Sequence, residues 1–255
     1  MSKPRRSQPP IQAQLVAGGR YHDIDFARRE LLTLLGDEPR IRTRVAEDYR
    51  DTQALADADC LITYTCDVAG TPAEQQALAD FVASGKRWFA LHGTNSVLEM
   101  LQEHVRTPRD HPVLMQTLGS QFLAHPPIGP YDVTVSDTDD PLVSGIEPFE
   151  VTDELYLCEY HGPLEPLLET RFSGKTPGFE VNEFADDAPR LVMYKKRVGE
   201  GCVLYLTLGH CRGHYDMRPL MDFYPQIERG AWESPTFYEL LRRGIRWAAG
   251  LDERA

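Results

Sequence analysis

Apolar and polar positions follow two rhythms along this chain. Residues 14–17 form a short apolar run closing on Gly18-Gly19, the pattern of a buried strand ending in a loop. Over 23–36, Phe26, Leu31, Leu34 and Leu35 recur near helical spacing, and Gly36 suits a C-terminal cap. Residues 41–46 predict a second strand and 59–65 a third. Thr71 before Pro72 reads as an N-cap and first helical position, with Glu74 in the first turn, where the helix dipole favours an anion. Leu78, Phe81 and Val82 give that helix its apolar face, Gly85 ends it, and 87–91 is a fourth strand stopping at His92-Gly93. Strands and helices alternating at this spacing imply right-handed crossovers and a parallel sheet. Binding sites in such sheets lie beyond the carboxyl ends of the strands.

The second half is less regular. Residues 131–136 alternate like a strand, 151–159 is a further candidate, and 191–195 and 202–208 flank a hairpin-like turn at Gly199-Glu200-Gly201. Ser234-Pro235 starts a last helix with Phe237, Leu240, Leu241, Ile245 and Ala248 on one face. Residues 217–232 read as a long loop, which in a compact domain is more often functional than idle. The runs 99–111 and 162–183 carry no assignable pattern. The Pro-rich start, residues 1–11, reads as a disordered tail, and 12–251 as one domain without repeat or composition break.

Charge narrows the partners. Acidic residues outnumber basic ones by 39 to 27, a net charge of −12, which argues against a phosphate-tracking surface and a nucleic-acid partner. No apolar run suits a signal peptide or a membrane span. Five cysteines lack CxxC spacing. Cys60, Cys158, Cys202 and Cys211 sit in or beside strand-like runs, as small reduced hydrophobes do, which points to a reducing, cytoplasmic compartment. Homo-oligomerisation is left open.

The histidines carry the candidate chemistry. His22 follows the first strand, His92 ends the fourth, His125 precedes Pro126, His210 ends the last strong strand, and His214 lies four residues on. Imidazoles gathered at strand ends can bind a divalent transition metal, zinc or manganese, or move protons. Asp153-Glu154 adds two carboxylates, of which only one can face a given pocket if the stretch is a strand. A buried carboxylate among histidines serves as metal ligand or general base. The plainer alternative has Asp153 capping a turn and Glu154 in solvent. Gly18-Gly19 lacks GxGxxG spacing and no Walker A sequence occurs, so no nucleotide cofactor is expected. No GxSxG or GxCxG elbow exists around Ser96 or elsewhere. Asp139-Asp140 and Asp186-Asp187, as paired hydrolytic carboxylates, lie in Pro-flanked turns where acidic residues serve local hydrogen bonding.

Several short pieces stand in a familiar order: Ala17-Gly18-Gly19 with Tyr21-His22-Asp23, Leu91-His92-Gly93, and Phe122 with His125-Pro126. Asp153-Glu154-Leu155-Tyr156, Gly209-His210 and Gly244-Ile245-Arg246-Trp247-Ala248 follow. Over residues 12–250 the chain resembles the ThuA-like (trehalose-utilisation) family. The resemblance implies an α/β fold, a three-layer α/β/α sandwich with a mostly parallel, flavodoxin-like sheet of the class I glutamine amidotransferase kind. Those enzymes place a Cys nucleophile on a sharp turn after a central strand and a catalytic His after a later one. Here His92 stands at the turn and His210 resembles the later His. An imidazole cannot form the glutamyl thioester, so glutamine hydrolysis is not expected.

The resemblance further implies a small-molecule carbohydrate substrate, a disaccharide or other glycoside. The chemistry expected is cleavage of a glycoside already oxidised to a 3-keto sugar. The ketone acidifies the hydrogen at C2, a base removes it, and the enediolate expels the glycosidic oxygen at C1. A metal on His22, His92 and His210 would stabilise that enediolate. Catalytic roles fall to His92, His125, Glu154 and His210, with Glu154 or His125 as base. Tyr21, Asn95, Tyr156, His214 and Tyr215 would contact the sugar. The alternative is a non-catalytic sugar-binding or regulatory domain using aromatic platforms such as Tyr21, Tyr156, Phe223, Tyr224 and Trp232.

Overall fold

A computed structural model describes residues 9–251; residues 1–8, most of the segment read as a tail, lie outside the described residues. Ile11, also assigned to that tail, is half-buried as the first residue of β1 (Ile11–Gly19). The first half then alternates as its periodicity predicts: α1 (Ile24–Gly36), β2 (Ile41–Ala46), α2 (Thr52–Asp57), β3 (Cys60–Cys66), α3 (Pro72–Ala83) and β4 (Arg87–Leu91). Asp23 caps α1, its carboxylate accepting from the Phe26 N–H at 3.1 Å. Thr71 and Glu74 form a reciprocal capping box at α3, and Pro72 supplies the preset φ of its first turn.

Next come the short strands β5 (Glu99–Met100) and β6 (Val105–Arg106), α4 (Pro112–Leu118), β7 (Ser120–Ala124), β8 (Gly129–Val135), β9 (Phe149–Asp153) and β10 (Leu157–Tyr160). β11 (Glu165–Arg171), the short β12 (Gly174–Lys175) and β13 (Glu183–Phe184), β14 (Pro189–Val198), β15 (Gly201–Leu206) and α5 (Pro235–Ala248) complete the chain. Nine strands form one sheet in the order β2-β1-β3-β4-β15-β14-β11-β8-β9. Pairing is parallel from β2 to β15 and antiparallel from there to β9.

Alternate side chains of the parallel strands feed two cores. Ile62, Tyr64, Phe89, Leu91 and Leu204 pack under α1 and α5, against Leu31, Leu35, Phe237 and Leu241. Leu61, Trp88, Ala90 and Val203 face the other way, against Leu78 and Val82 of α3 and Leu114 and Leu118 of α4. Both faces of the sheet are therefore covered by helices, giving three layers. Each fully buried Leu or Phe contributes about 1.5–3 kcal/mol relative to exposure.

One strand differs from the sequence reading. Residues 151–159 are not continuous: β9 stops at Asp153, residues 154–156 bend away, and β10 pairs with β7 in a separate two-stranded sheet. The break has a physical cause. The Asp153 carboxylate accepts backbone N–H groups from Glu154 at 2.7 Å, Gly209 at 3.1 Å, His210 at 3.2 Å and Ala231 at 2.7 Å. Those bonds tie the end of β9 to the loops after β15 and before α5. Glu154 and Tyr156 are thereby released from the ladder.

Candidate metal centre

β1, β4 and β15 run parallel, so their carboxyl ends open on one side of the sheet. His22 lies just beyond β1, His92 follows β4 directly, and His210 follows β15. His92 starts a 3-10 turn with φ +43°, the left-handed region that L-residues enter at a cost of about 1–2 kcal/mol. Gly93 next to it has no room for a side chain: a Cβ there would lie 2.7 Å from the Thr65 carbonyl oxygen. The turn is thus pressed against the end of β3, which aims the imidazole inward.

His22, His92, Glu154 and His210 converge there, all buried, with one ligand atom from each lying within 4.8 Å of the others. The His22 and His92 Nε2 atoms are 2.8 Å apart. His92 Nδ1–H donates to the Thr207 carbonyl at 2.7 Å, and His22 Nδ1 points at the Arg20 carbonyl at 3.5 Å. With the His92 Nδ1 proton so committed, its Nε2 is the acceptor, and in the metal-free molecule His22 Nε2–H donates to it. His210 is held the other way round, its Nε2–H donating to Glu228 at 2.7 Å. Its Nδ1 is buried and faces Glu154 Oε1 at 3.5 Å, with no closer partner. Glu154 Oε2 stands 3.4 Å from His92 Nε2 and 3.5 Å from His22 Nε2.

Once a metal displaces the protons between them, three inward imidazole nitrogens and a carboxylate form a donor set that suits a divalent transition metal. Tetrahedral zinc sites with bonds of about 2.0–2.1 Å need ligand atoms roughly 3.3 Å apart, within the spread found here. The outer bonds from His92 to Thr207 and from His210 to Glu228 are the kind that fix ligating imidazoles.

The electrostatics describe the same place. Burial pushes His22 down to about 3, so it stays neutral. Burial also pushes His210 down, but Glu154 and then Glu228 override it and hold the imidazole up to about 9. Burial raises the Glu154 carboxyl, yet His125, His210 and His22 outweigh it and keep it well below the usual carboxylate range. In the metal-free molecule a proton on His210 therefore stands where a cation would.

A cavity of about 460 Å³ opens over the cluster, lined by His22, His125, Glu154, Tyr156, Arg212 and Glu228 among others. Phe122, Phe179 and Leu98 supply apolar wall. His125 Nδ1–H donates to the Pro126 carbonyl at 2.7 Å, and its Nε2 lies 3.2 Å from Glu154 Oε1. The Tyr156 hydroxyl is 3.4 Å from His92 Nε2. A wider cleft of about 940 Å³ adjoins across Tyr21 and His22 and reaches Arg20, Asp216 and Tyr215. Cys66 lines the inner cavity, but burial and then the Glu154 charge push its thiol well up, so it is no ready nucleophile.

A family profile described as trehalose utilisation matches residues 15–225. The chain belongs to the ThuA family. Two ThuA-like proteins of known structure share its fold at 15% identity. The one from Bacteroides uniformis superposes with a TM-score of 0.67 over 97% of this chain and 95% of that one. The one from Parabacteroides merdae gives 0.62 over 96% and 92%. A GMP synthase subunit from Thermoplasma acidophilum, 11% identical, gives 0.50 over 97% and 100%, which relates this ThuA-family fold to the glutamine amidotransferase-like scaffold. Comparison with curated proteins finds no match.

Not every residue expected at the ThuA-family site is there. His22, His92, His125, Glu154, Tyr156 and His210 come together, and Tyr21 lines both cavities. Asn95 does not line either: it is buried, its amide donating to Ser120 Oγ at 2.6 Å and its backbone N–H to the Tyr205 hydroxyl at 2.9 Å. It holds the turn after β4 from behind. His214 is exposed beside Tyr215 and lines neither cavity, because the chain turns outward after Arg212. Tyr215 reaches only the rim of the wider cleft, 63% exposed. Arg212 and Glu228 escaped the sequence reading. The sole signal was Glu228's position inside a long loop read as functional.

Proposed function

We propose that this ThuA-family protein is a metal-dependent enzyme that cleaves a glycoside already oxidised to a 3-keto sugar. The observation that carries the reading is the convergence of His22 Nε2, His92 Nε2 and His210 Nδ1 on the buried Glu154 carboxylate. A zinc or manganese ion held by His22 Nε2, His92 Nε2, His210 Nδ1 and a Glu154 oxygen supplies Lewis-acid stabilisation of negative charge on the substrate.

The side chains do the rest. With Glu154 committed as a ligand, the base is His125, whose Nδ1–H is fixed on Pro126 and whose Nε2 faces the cavity. Nε2 takes the C2 proton; the C2–H electron pair becomes the C1–C2 π bond as the C1–O bond breaks. The same proton passes to the departing alkoxide, which leaves as an alcohol. Water then adds across the enone to give the free 3-keto sugar. The Tyr156 hydroxyl and the unpartnered Nε–H of Arg212 are placed to donate to sugar oxygens. Phe122 and Phe179 offer apolar faces for the ring. The five free cysteines support a reducing, cytoplasmic compartment as part of this reading.

The sugar-binding alternative has Tyr21, Tyr156 and Tyr224 on the cavity wall, but it leaves the buried histidine–carboxylate cluster without a role. Release of the leaving sugar from a 3-keto disaccharide by metal-loaded protein tests the proposal. His125→Ala should slow it by about 10²–10⁴-fold, the usual worth of a positioned base. A protein that binds the disaccharide equally well before and after His92→Ala, and releases nothing, is a binding module instead.

A further inference from the structure

Glu228 stands outside the four inward groups and touches two of their neighbours. Its Oε2 accepts from His210 Nε2–H at 2.7 Å and from Arg212 Nη1 at 2.8 Å. Its backbone pairs with Arg212 in both directions, each N–H to carbonyl at 2.9 Å, closing the excursion 213–227 at its base. Arg212 Nη2 in turn forms a looser ion pair with Glu154 Oε1 at 3.6 Å.

We propose that Glu228 is a positioning residue that keeps the cluster open to a cation, an inference that rests on the metal reading above. It acts on two groups. By accepting from Nε2–H it fixes His210 with Nδ1 inward as a donor and raises that donor's basicity. By holding the Arg212 guanidinium at 2.8 Å it keeps the arginine's ion pair with Glu154 at 3.6 Å, short of a hydrogen bond that would fill the cation's place. Without Glu228, an imidazole that gives up one proton is free to keep the other on Nδ1, facing Glu154, and Arg212 is free to close from 3.6 Å onto the same carboxylate. Either change satisfies the cluster internally. The excursion 213–227 carries exposed Leu220, Phe223 and Ile227. Because Glu228 is delivered by its return segment, seating of that loop and affinity for the ion are linked.

The test compares full-length wild type with Glu228→Gln and Glu228→Ala. Zinc dissociation constants come from competition with a chromophoric chelator, and the His210 Nε2–H resonance from proton–nitrogen NMR of the metal-free and zinc-loaded proteins. Glu228→Gln is isosteric on a partly exposed residue and keeps an acceptor without the charge, so it folds and isolates the electrostatic part. Zinc should bind about tenfold more weakly in Glu228→Gln and about 100-fold more weakly in Glu228→Ala, the range typical of lost outer partners. Glu228→Ala should also lose the hydrogen-bonded Nε2–H signal. Adding Arg212→Met to Glu228→Ala should recover part of the affinity. Zinc affinity within twofold of wild type in Glu228→Ala, with the Nε2–H signal unchanged, overturns the inference. If wild type itself binds no zinc, the metal reading fails, while the NMR comparison still decides whether Glu228 fixes the His210 tautomer.

Discussion

Asp153→Ala should be among the most damaging single changes in this protein, although Asp153 contacts none of the inward donors. Its carboxylate, 1% exposed, accepts the N–H groups of Gly209, His210 and Ala231, besides that of its neighbour Glu154. Hydrogen bonds to a charged acceptor contribute about 1.5–3 kcal/mol each, and removing one partner leaves buried donors unsatisfied. Three such bonds in one cluster are not additive, and some water entry will soften the loss. The expected net cost is therefore about 3–5 kcal/mol. For a domain of this size each kcal/mol shifts Tm by about 2–4 °C, so a fall of roughly 10 °C is expected. Urea denaturation followed by circular dichroism measures it. Asp153→Asn should fall between, since its amide oxygen still accepts while its NH₂ meets the same donors. Zinc binding should weaken in both, because these bonds hold the backbone of His210 and the bend carrying Glu154. A loss below about 1 kcal/mol for Asp153→Ala, within the range of ordinary surface changes, would refute the role assigned to this carboxylate.

Other outcomes follow from the same geometry. His210 is held up to about 9, so a metal must displace one proton below that pH. Zinc affinity should accordingly rise about tenfold per pH unit from 6 to 8; a flat profile in titration calorimetry would contradict this. Gly244→Ala in α5 should destabilise despite a helix-propensity gain of about 1 kcal/mol, because the new Cβ would lie 2.4 Å from the Phe89 ring. A raised melting temperature would count against that packing. Zinc at about 100 times its dissociation constant should add about 2.7 kcal/mol to stability, and His92→Ala should abolish the increment.

The βα alternation of the first half was legible because each unit carries its own punctuation. Asp23 and Thr71 cap the helices, and Gly85 turns with φ +102° before β4. The strand-end histidines were legible for a topological reason: parallel strands bring their carboxyl ends together whatever the intervening sequence. The second half hid more. α4 and β7 are short, and their boundaries are set by packing against α3 and Tyr194 rather than by periodicity. The break between Asp153 and Glu154 could not be read, because the donors that terminate β9 lie more than fifty residues away. For the same reason Asn95 looked like a pocket residue and Glu228 did not. Asn95 lies three residues past a site histidine yet turns into the core, whereas Glu228 reaches His210 from a loop of no regular pattern.

The most direct test is the metal content of tag-free protein purified without chelator, read by mass spectrometry of the eluted ions. A metal centre on His22, His92, Glu154 and His210 predicts close to one equivalent of zinc or manganese per chain, lost in His92→Ala while the fold persists. No bound ion, even after saturation with divalent metals and removal of excess, would contradict it and leave four buried polar groups to be explained by hydrogen bonding alone.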